Sequence, residues 1–309
     1  MMAAKPRIVC IVGATGVGKT DVALDVAERL DAEIVSADSM QVYRYMDIGT
    51  AKPTSEQRRR VRHHLLDVAD PDEDFNAALF RERALAAIED IHARGRNVLV
   101  AGGTGLYVKA LTRGLFEGPA RDAALRADLE RAAAEHGVGY LFECLERVDP
   151  EAARRIEPRD RVRIVRALEV HAHTGRPLSE WQRAHGFGDR PFDVLGVALA
   201  RPRTELYERI DRRCAEMLAA GLLDETRVLL ERGYHAGLRS MQSVGYRQAM
   251  QCLMDHLDES AMLAAMQQAT RRLAKRQLTW FRADPGLKWL HPERTDAIGE
   301  LCARFLVGH

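Results

Sequence analysis

Two textures alternate along the first third of the chain and return near its end. Short, nearly continuous apolar runs are Ile8-Val9-Cys10-Ile11-Val12, the stretch 32–37 with Ile34 and Val35 at its centre, 97–101 with Val98-Leu99-Val100, and 194–200. Runs of this kind suit strands covered on both faces, as parallel sheets require. Between them, apolar residues recur at helical spacing. Val22, Leu24, Val26, Ala27 and Leu30 form one such series. Phe80, Leu85, Ile88 and Ile91 form a second, with Gly95 as its stop, and 206–218 a third, ended by Gly221. Strands alternating with helices predict an α/β fold around a parallel sheet. From about Pro119 the texture changes: 120–135 and 160–174 are rich in alanine, arginine and acids, and strand-like runs nearly vanish until Phe192. The pattern therefore predicts a core in two parts, 1–118 and 191–309, with a mainly helical insertion at 119–190 and further helices at the C-terminal end.

The first apolar run leads directly into Gly13-Ala14-Thr15-Gly16-Val17-Gly18-Lys19-Thr20, the spacing of a phosphate-binding loop between strand and helix. Glycines let backbone N–H groups turn inward, and a helix starting near Lys19 aims the positive end of its dipole at an anion. Lys19 adds a full charge, and Thr20 has the hydroxyl to hold a magnesium ion. Asp38 follows the second strand, at the sheet edge where ligands of open parallel sheets gather. It can hold the metal, act as a general base, or cap the turn through Ser39 and Met40. The third apolar run leads into Gly102-Gly103-Thr104-Gly105-Leu106-Tyr107, which lacks the strand-end aspartate a nucleotide hydrolase uses for magnesium and water. Its glycines suit close approach of a second phosphate or leaving group, or simply a tight strand-to-helix turn.

Charge and cysteine content narrow the classes. Lys and Arg number 46 against 45 Asp and Glu, so affinity for a polyanion has to come from local clusters. The five cysteines contain no CxxC pair, which argues against a zinc site or a disulfide framework. Neither a signal sequence nor a membrane span is legible, so the expectation is a soluble, cytoplasmic protein without membrane contact. Local basic clusters do exist. Arg58, Arg59, Arg60 and Arg62 read as a solvated helix face or an anion contact. Arg159, Arg163 and Arg166 fall on one helical face, with Glu157, Asp160 and Glu169 near enough to neutralise them. The polar loop 47–53 carries groups able to close over a substrate. The loop 240–248 holds Tyr246 and Arg247, useful parts for gripping a splayed-out base, and 270–282 is a basic helix with aromatics at its far end.

Taken together, these segments resemble the bacterial tRNA dimethylallyltransferases. The matching pieces are GATGVGKT at 13–20, SADSMQVY at 36–43, MDIGTAKP at 46–53, HHLLDV at 63–68, GGTGLY at 102–107, RALEV at 166–170, SVGYRQ at 243–248 and TRRLAKRQLTWFR at 270–282. The resemblance implies a P-loop NTPase-like parallel-sheet core and transfer of a dimethylallyl group from dimethylallyl diphosphate to N6 of adenosine 37, in tRNAs reading codons that begin with U. It also implies Mg2+, held in part by Thr20; a monomer is the expectation for the chain, though its sequence does not fix the oligomeric state. Gly13, Ala14, Thr15, Gly16, Val17, Gly18, Lys19 and Thr20 then grip the diphosphate, with Thr104 and Arg213 beside them and Asp38 as general base. Contacts to tRNA fall by resemblance on Asp38, Ser39, Met40, Gln41, Thr104 and Arg126. They continue on Val162, Arg163, Ile164, Val165 and Arg166 of the insertion, and on Gln242, Ser243, Val244, Gly245, Tyr246 and Arg247. Many relatives carry arginine where this chain has Gln242. A nucleoside kinase, a relative prenylating free AMP or ATP, and an RNA-binding module with a vestigial loop are the competing readings.

Overall fold

Burial explains the strands. In this computed structural model, which describes residues 5–116, 118–119, 122–186, 188–255 and 258–308, the residues of the apolar runs are almost entirely covered. The chain divides into two compact units, one made of the residues up to Thr112 together with those from Arg190 onward, the other of Arg113–Asp189. The boundary of the inserted unit thus lies at 113 on one side, six residues earlier than the texture of the sequence suggests, where the helix after the glycine turn ends.

In the first unit, β1 (Arg7–Gly13) leads through the phosphate-binding loop into α1 (Lys19–Arg29) and β2 (Ala32–Ser36). Next come α2 (Ser55–Arg60), β3 (His63–His64), α3 (Ala77–Ala93), β4 (Asn97–Gly102) and α4 (Gly105–Arg113). The elements of the inserted unit among its described residues are all helices: α5 (Ala123–His136), α6 (Val138–Val148), α7 (Pro150–Ala153), α8 (Arg161–Thr174) and α9 (Leu178–His185). The first unit then resumes with β5 (Asp193–Leu199), α10 (Arg203–Ala219), α11 (Leu222–Glu231), α12 (Tyr246–Asp255), α13 (Glu259–Arg282), β6 (Leu287–Leu290) and α14 (Thr295–Val307).

All six strands are parallel, in the order β3-β2-β4-β1-β5-β6. Register is fixed by the central pairings Val9↔Leu99 and Val9↔Leu195. The chain leaves β1 toward β2 on one side and leaves β4 toward β5 on the other. Their C-terminal ends therefore flank a topological switch point, the crevice where open α/β sheets bind ligands. Helix starts are capped by side chains chosen for it: Thr54 and Gln57 make a reciprocal box on α2, Asn76 caps α3, Asp160 caps α8 and Asp258 caps α13. Gly221 is the helix stop the sequence suggests: α10 ends at Ala219, and Gly221 stands two residues on at φ 99°, its N–H on Leu218 O at 3.1 Å, before α11 begins.

The inserted unit has its own core of Leu141, Leu145, Ile164, Ala167 and Val170. One buried acid, Asp149, is fully engaged there, accepting from the N–H of Ala152 and from the N–H and hydroxyl of Ser179 at 2.6–2.9 Å. No helix among the described residues is long and apolar enough to cross a membrane.

Candidate active site

The loop between β1 and α1 is held from outside by cations on its carbonyls. Lys19 Nζ donates to Ala14 O at 2.9 Å, Arg209 Nε to Gly16 O at 3.0 Å and Arg201 Nε to Val17 O at 3.0 Å. Gly18 caps α1 at φ 103°, a backbone that any side chain would strain. Ala14 and Val17 are fully covered, so the loop meets a ligand with backbone, Lys19 and the hydroxyls of Thr15 and Thr20. Next to it opens a cavity of about 960 Å³. Thr15, Gly16, Gly18, Lys19 and Thr20 line it from the loop, Asp38 and Gln41 from the end of β2, and Arg209 and Arg213 from α10.

The electrostatics of this cavity favour an anion. Burial pulls the Lys19 ammonium down to about 8; Asp38 opposes that shift and Arg213 adds to it. Arg213 is lowered for the same first reason, burial, with Asp38 again opposing. Its guanidinium makes no hydrogen bond to the described residues. Two crowded cations share one carboxylate, a net positive charge that a diphosphate would neutralise.

Asp38 itself is tied on one side only. Its Oδ1 accepts from the N–H of Met40 at 2.9 Å and of Gln41 at 3.4 Å, so the capping turn is real and Oδ2 remains for chemistry. Thr104 braces the same turn. Its N–H donates to Ala37 O at 3.1 Å, and its Oγ1 accepts from Ser39 N–H at 2.9 Å. Thr104 is not part of the cavity wall; it stands behind Asp38.

Residues 41–284 match the family described as IPP transferase. The chain belongs to the IPP transferase family. It is 50% identical over 304 residues to tRNA dimethylallyltransferase 2 of Syntrophus aciditrophicus, covering 98% of both chains. It is 47% identical to the tRNA dimethylallyltransferase of Desulfatibacillum aliphaticivorans, covering 99% of this chain and 100% of that one. The crystal structure of the full-length tRNA isopentenylpyrophosphate transferase of Bacillus halodurans superposes with a TM-score of 0.73 at 38% identity, covering 98% of this chain and 97% of that one. A eukaryotic dimethylallyltransferase captured acting on tRNA superposes with a TM-score of 0.78 at 27% identity, covering 93% and 74%.

As a member of this prenyltransferase family, the chain departs in several places from what its sequence suggested. Tyr246 is wholly buried, its hydroxyl bonded to Glu225 and to the Gly49 N–H, so it cannot stack on a base. Ile164 and Val165 point into the core of the inserted unit, while Val162 and Arg163 are exposed. Arg126 and Arg166 both bond to Glu169, which the sequence offered as their neutraliser. Burial pushes the Glu169 carboxyl up, but these arginines and the Asp122 N–H outweigh it and hold it at about 2. Gln41 spends its side-chain amide on the carbonyls of Thr50 and Ala51. Gln242 bonds to Ala236 O at 2.5 Å, and Ser243 Oγ is buried without a partner. Arg247 is exposed; Val244 is half-buried and Gly245 buried. Met40 and Ser39 are half-buried beside Asp38.

The other motifs are also largely internal. Lys52 of the 47–53 loop is buried on Tyr43 O, Asp47 and Asp67, with Arg58 on the same Asp67, so it braces from within a loop whose Asp47, Ile48, Thr50 and Ala51 line the cavity. Arg58 pairs with Asp67 and Arg60 with Glu28, so two cations of the 58–62 run are spent on acids while Arg59 stays exposed. In the glycine turn, a Cβ on Gly102 would sit 2.1 Å from Ala37 O, and one on Gly105 2.0 Å from the Trp280 ring. Protein groups, not a phosphate, account for those two glycines.

Sequence reasoning missed Gln277, Glu225 and Arg201, whereas Arg209 stands out in the sequence four residues before Arg213 on the same helix. Gln277 lies inside the TRRLAKRQLTWFR segment, where the surrounding charges drew the attention. Glu225 carried no motif at all. A magnesium ion, expected from the sequence resemblance, would find hard oxygen donors in the Thr20 hydroxyl and Asp38, both on the cavity wall. That sparse protein set fits Mg2+, which keeps waters and takes phosphate oxygens from its ligand. Among the described residues, Glu205, His291 and Glu293 are the close His and acid cluster, but Arg201 already bonds both carboxylates.

Proposed function

We propose that this transferase moves a dimethylallyl group from dimethylallyl diphosphate to N6 of adenosine 37 in tRNAs reading codons that begin with U. The observation that carries the reading is the cavity in which Lys19, Thr20 and Arg213 face the carboxylate of Asp38. The cations suit the departing diphosphate, and the carboxylate that shares the cavity with them suits the incoming amine.

In the proposed mechanism the donor's diphosphate lies on the loop from Gly13 to Thr20, with Arg213 completing the grip. Mg2+, held through Thr20 and phosphate oxygens, would supply further neutralisation of the leaving group. The adenine, everted from its stack to reach the cavity, presents N6 to Asp38. The lone pair of N6 forms the bond to C1 of the dimethylallyl group while the C1–O bond breaks, its electrons leaving on the diphosphate. The proton from N6 passes to Asp38. Charge develops on the diphosphate as the bond breaks, so Lys19 and Arg213 act most strongly in the transition state. For the RNA, Arg163, Val162, Gln242 and Arg247 remain exposed and are proposed contacts. Arg126 and Arg166 are proposed to shape the surface through Glu169.

The test is mass analysis of an anticodon stem-loop incubated with protein, donor and magnesium, with AMP as a parallel acceptor. A dimethylallyl mass gain on the stem-loop and none on AMP supports the reading. Gain on AMP alone, or ADP formed from ATP with no prenylated product, overturns it.

A further inference from the structure

Gln277 spans the switch-point crevice with one side-chain amide. Its Oε1 accepts from the N–H of Thr15 at 2.9 Å, and its Nε2 donates to the carbonyl of Gly103 at 3.0 Å. The first partner belongs to the phosphate-binding loop after β1. The second belongs to the turn after β4, the neighbouring strand whose chain departs to the opposite side of the sheet. From Gly103 the link continues without a break to Asp38. Thr104, the next residue, holds Ala37 O with its N–H and receives Ser39 N–H on its Oγ1, and Ala37 and Ser39 are the two neighbours of Asp38 in the chain.

We propose that Gln277 is a positioning residue for the transfer, a strut that sets the separation between the diphosphate cradle and the Asp38 carboxylate. The proposal rests on the reading of the reaction above. Its chemistry explains the residue type. Bonding a backbone N–H on one side and a backbone carbonyl on the other needs an acceptor and a donor at the same planar tip, which the side-chain amides of Asn and Gln supply in every protonation state of the protein, and Asn is one methylene shorter. Glutamate keeps the acceptor, loses the donor to Gly103, and sets a negative charge beside the diphosphate. Methionine fills the volume and makes neither bond. Gly103 fits the same account: a Cβ there would come within 2.5 Å of Gln277 Nε2 and push the amide off its carbonyl. A displacement of about 1 Å between reacting groups costs on the order of 100-fold in rate.

The experiment measures single-turnover transfer to an anticodon stem-loop with donor and RNA saturating, for wild type, Gln277→Met, Gln277→Glu, Gly103→Ala, Thr104→Ala and Gln277→Met with Thr104→Ala. RNA affinity and the urea midpoint of each are measured alongside, at a temperature where all are folded. Gln277→Met and Gly103→Ala are expected to slow transfer about 10- to 100-fold, with RNA affinity within about twofold of wild type. The double variant is expected to be no slower than the slower single one, because both remove the same strut. Wild-type transfer by Gln277→Met overturns the proposal. So does a loss confined to RNA affinity, or a double variant whose slowing is the product of the singles. If wild type itself transfers nothing, the functional reading falls and takes this one with it; a working wild type isolates the strut.

Discussion

Asp38 is the residue on which the chemistry turns, and its geometry makes a clean test possible. Asparagine at this position retains an oxygen to accept from the Met40 N–H, so Asp38→Asn keeps the turn and removes only the charge and the proton acceptor. Single-turnover transfer with both substrates saturating is expected to fall about 10²- to 10⁴-fold, with RNA affinity unchanged. A wild-type rate would falsify the assignment of Asp38 as base. Lys19 gives a second prediction. Its folded pKa, about 8, lies below the ordinary 10.5, so the unfolded chain binds that proton more tightly. Stability therefore rises with pH between about 8 and 10.5, and the cost of the buried charge is fully present below 8. A diphosphate favours the charged lysine. Donor binding is expected to take up a proton near pH 8 and to weaken above it, read as a pH profile of donor affinity; a flat profile across that range would show that Lys19 does not titrate against the donor. Both residues were legible in the sequence, because loop spacing and strand-end position are local signals. Gln277 was not, since its partners lie 262 and 174 residues away and nothing near it marks them.

Elements that rest on continuous apolar runs, the central strands above all, were readable for the same local reason. The 240–248 stretch was not. Its polar residues and glycine read as a loop displaying Tyr246, whereas α12 begins at Tyr246 and buries it against a carboxylate on α11. Glu225 accepts from the backbone N–H groups of Asp47, Ile48 and Gly49 at 2.9–3.2 Å, so α11 and α12 together hold the 47–49 backbone that forms one wall of the cavity. Tyr246→Phe removes one bond to this carboxylate and is expected to cost about 1.5–3 kcal/mol in urea unfolding, with no loss of RNA affinity at saturating folded protein. A selective loss of RNA affinity would restore the base-gripping role that burial denies it. In the inserted unit, Glu169 is the counterpart. Its carboxyl titrates at about 2 against an ordinary 4.5. The stability it contributes is complete above about 4.5 and disappears as pH falls through about 2. Glu169→Gln should flatten acid unfolding across that window, monitored by helical circular dichroism; an unchanged acid midpoint would mean that Arg126 and Arg166 gain nothing from it.

Across the whole molecule the positive and negative charges nearly cancel, 46 against 45, and many arginines that looked available in the sequence are spent on acids. Binding a polyanion then depends on which cations have no acid beside them. On α13, Arg272, Lys275, Arg276 and Arg282 are exposed and have no ion-pair or hydrogen-bond partner through their side chains among the described residues, whereas Arg271 pairs with Asp211. The same helix reaches the catalytic crevice through Gln277, so its cations lie within a turn or two of the phosphate-binding loop's partner. Each phosphate neutralised by such a side chain releases counterions and steepens the fall of affinity with salt, by about 0.7 to 0.9 in the log–log slope. Replacing Lys275 and Arg276 together by glutamine is therefore expected to weaken binding of an anticodon stem-loop at low salt and to lower the salt slope by about 1.4 to 1.8 if each meets a phosphate. Donor affinity should stay as in wild type, because neither residue lines the cavity. An unaltered slope would remove α13 from the RNA interface and leave Arg163 and Arg247 as the exposed cations still to be tried.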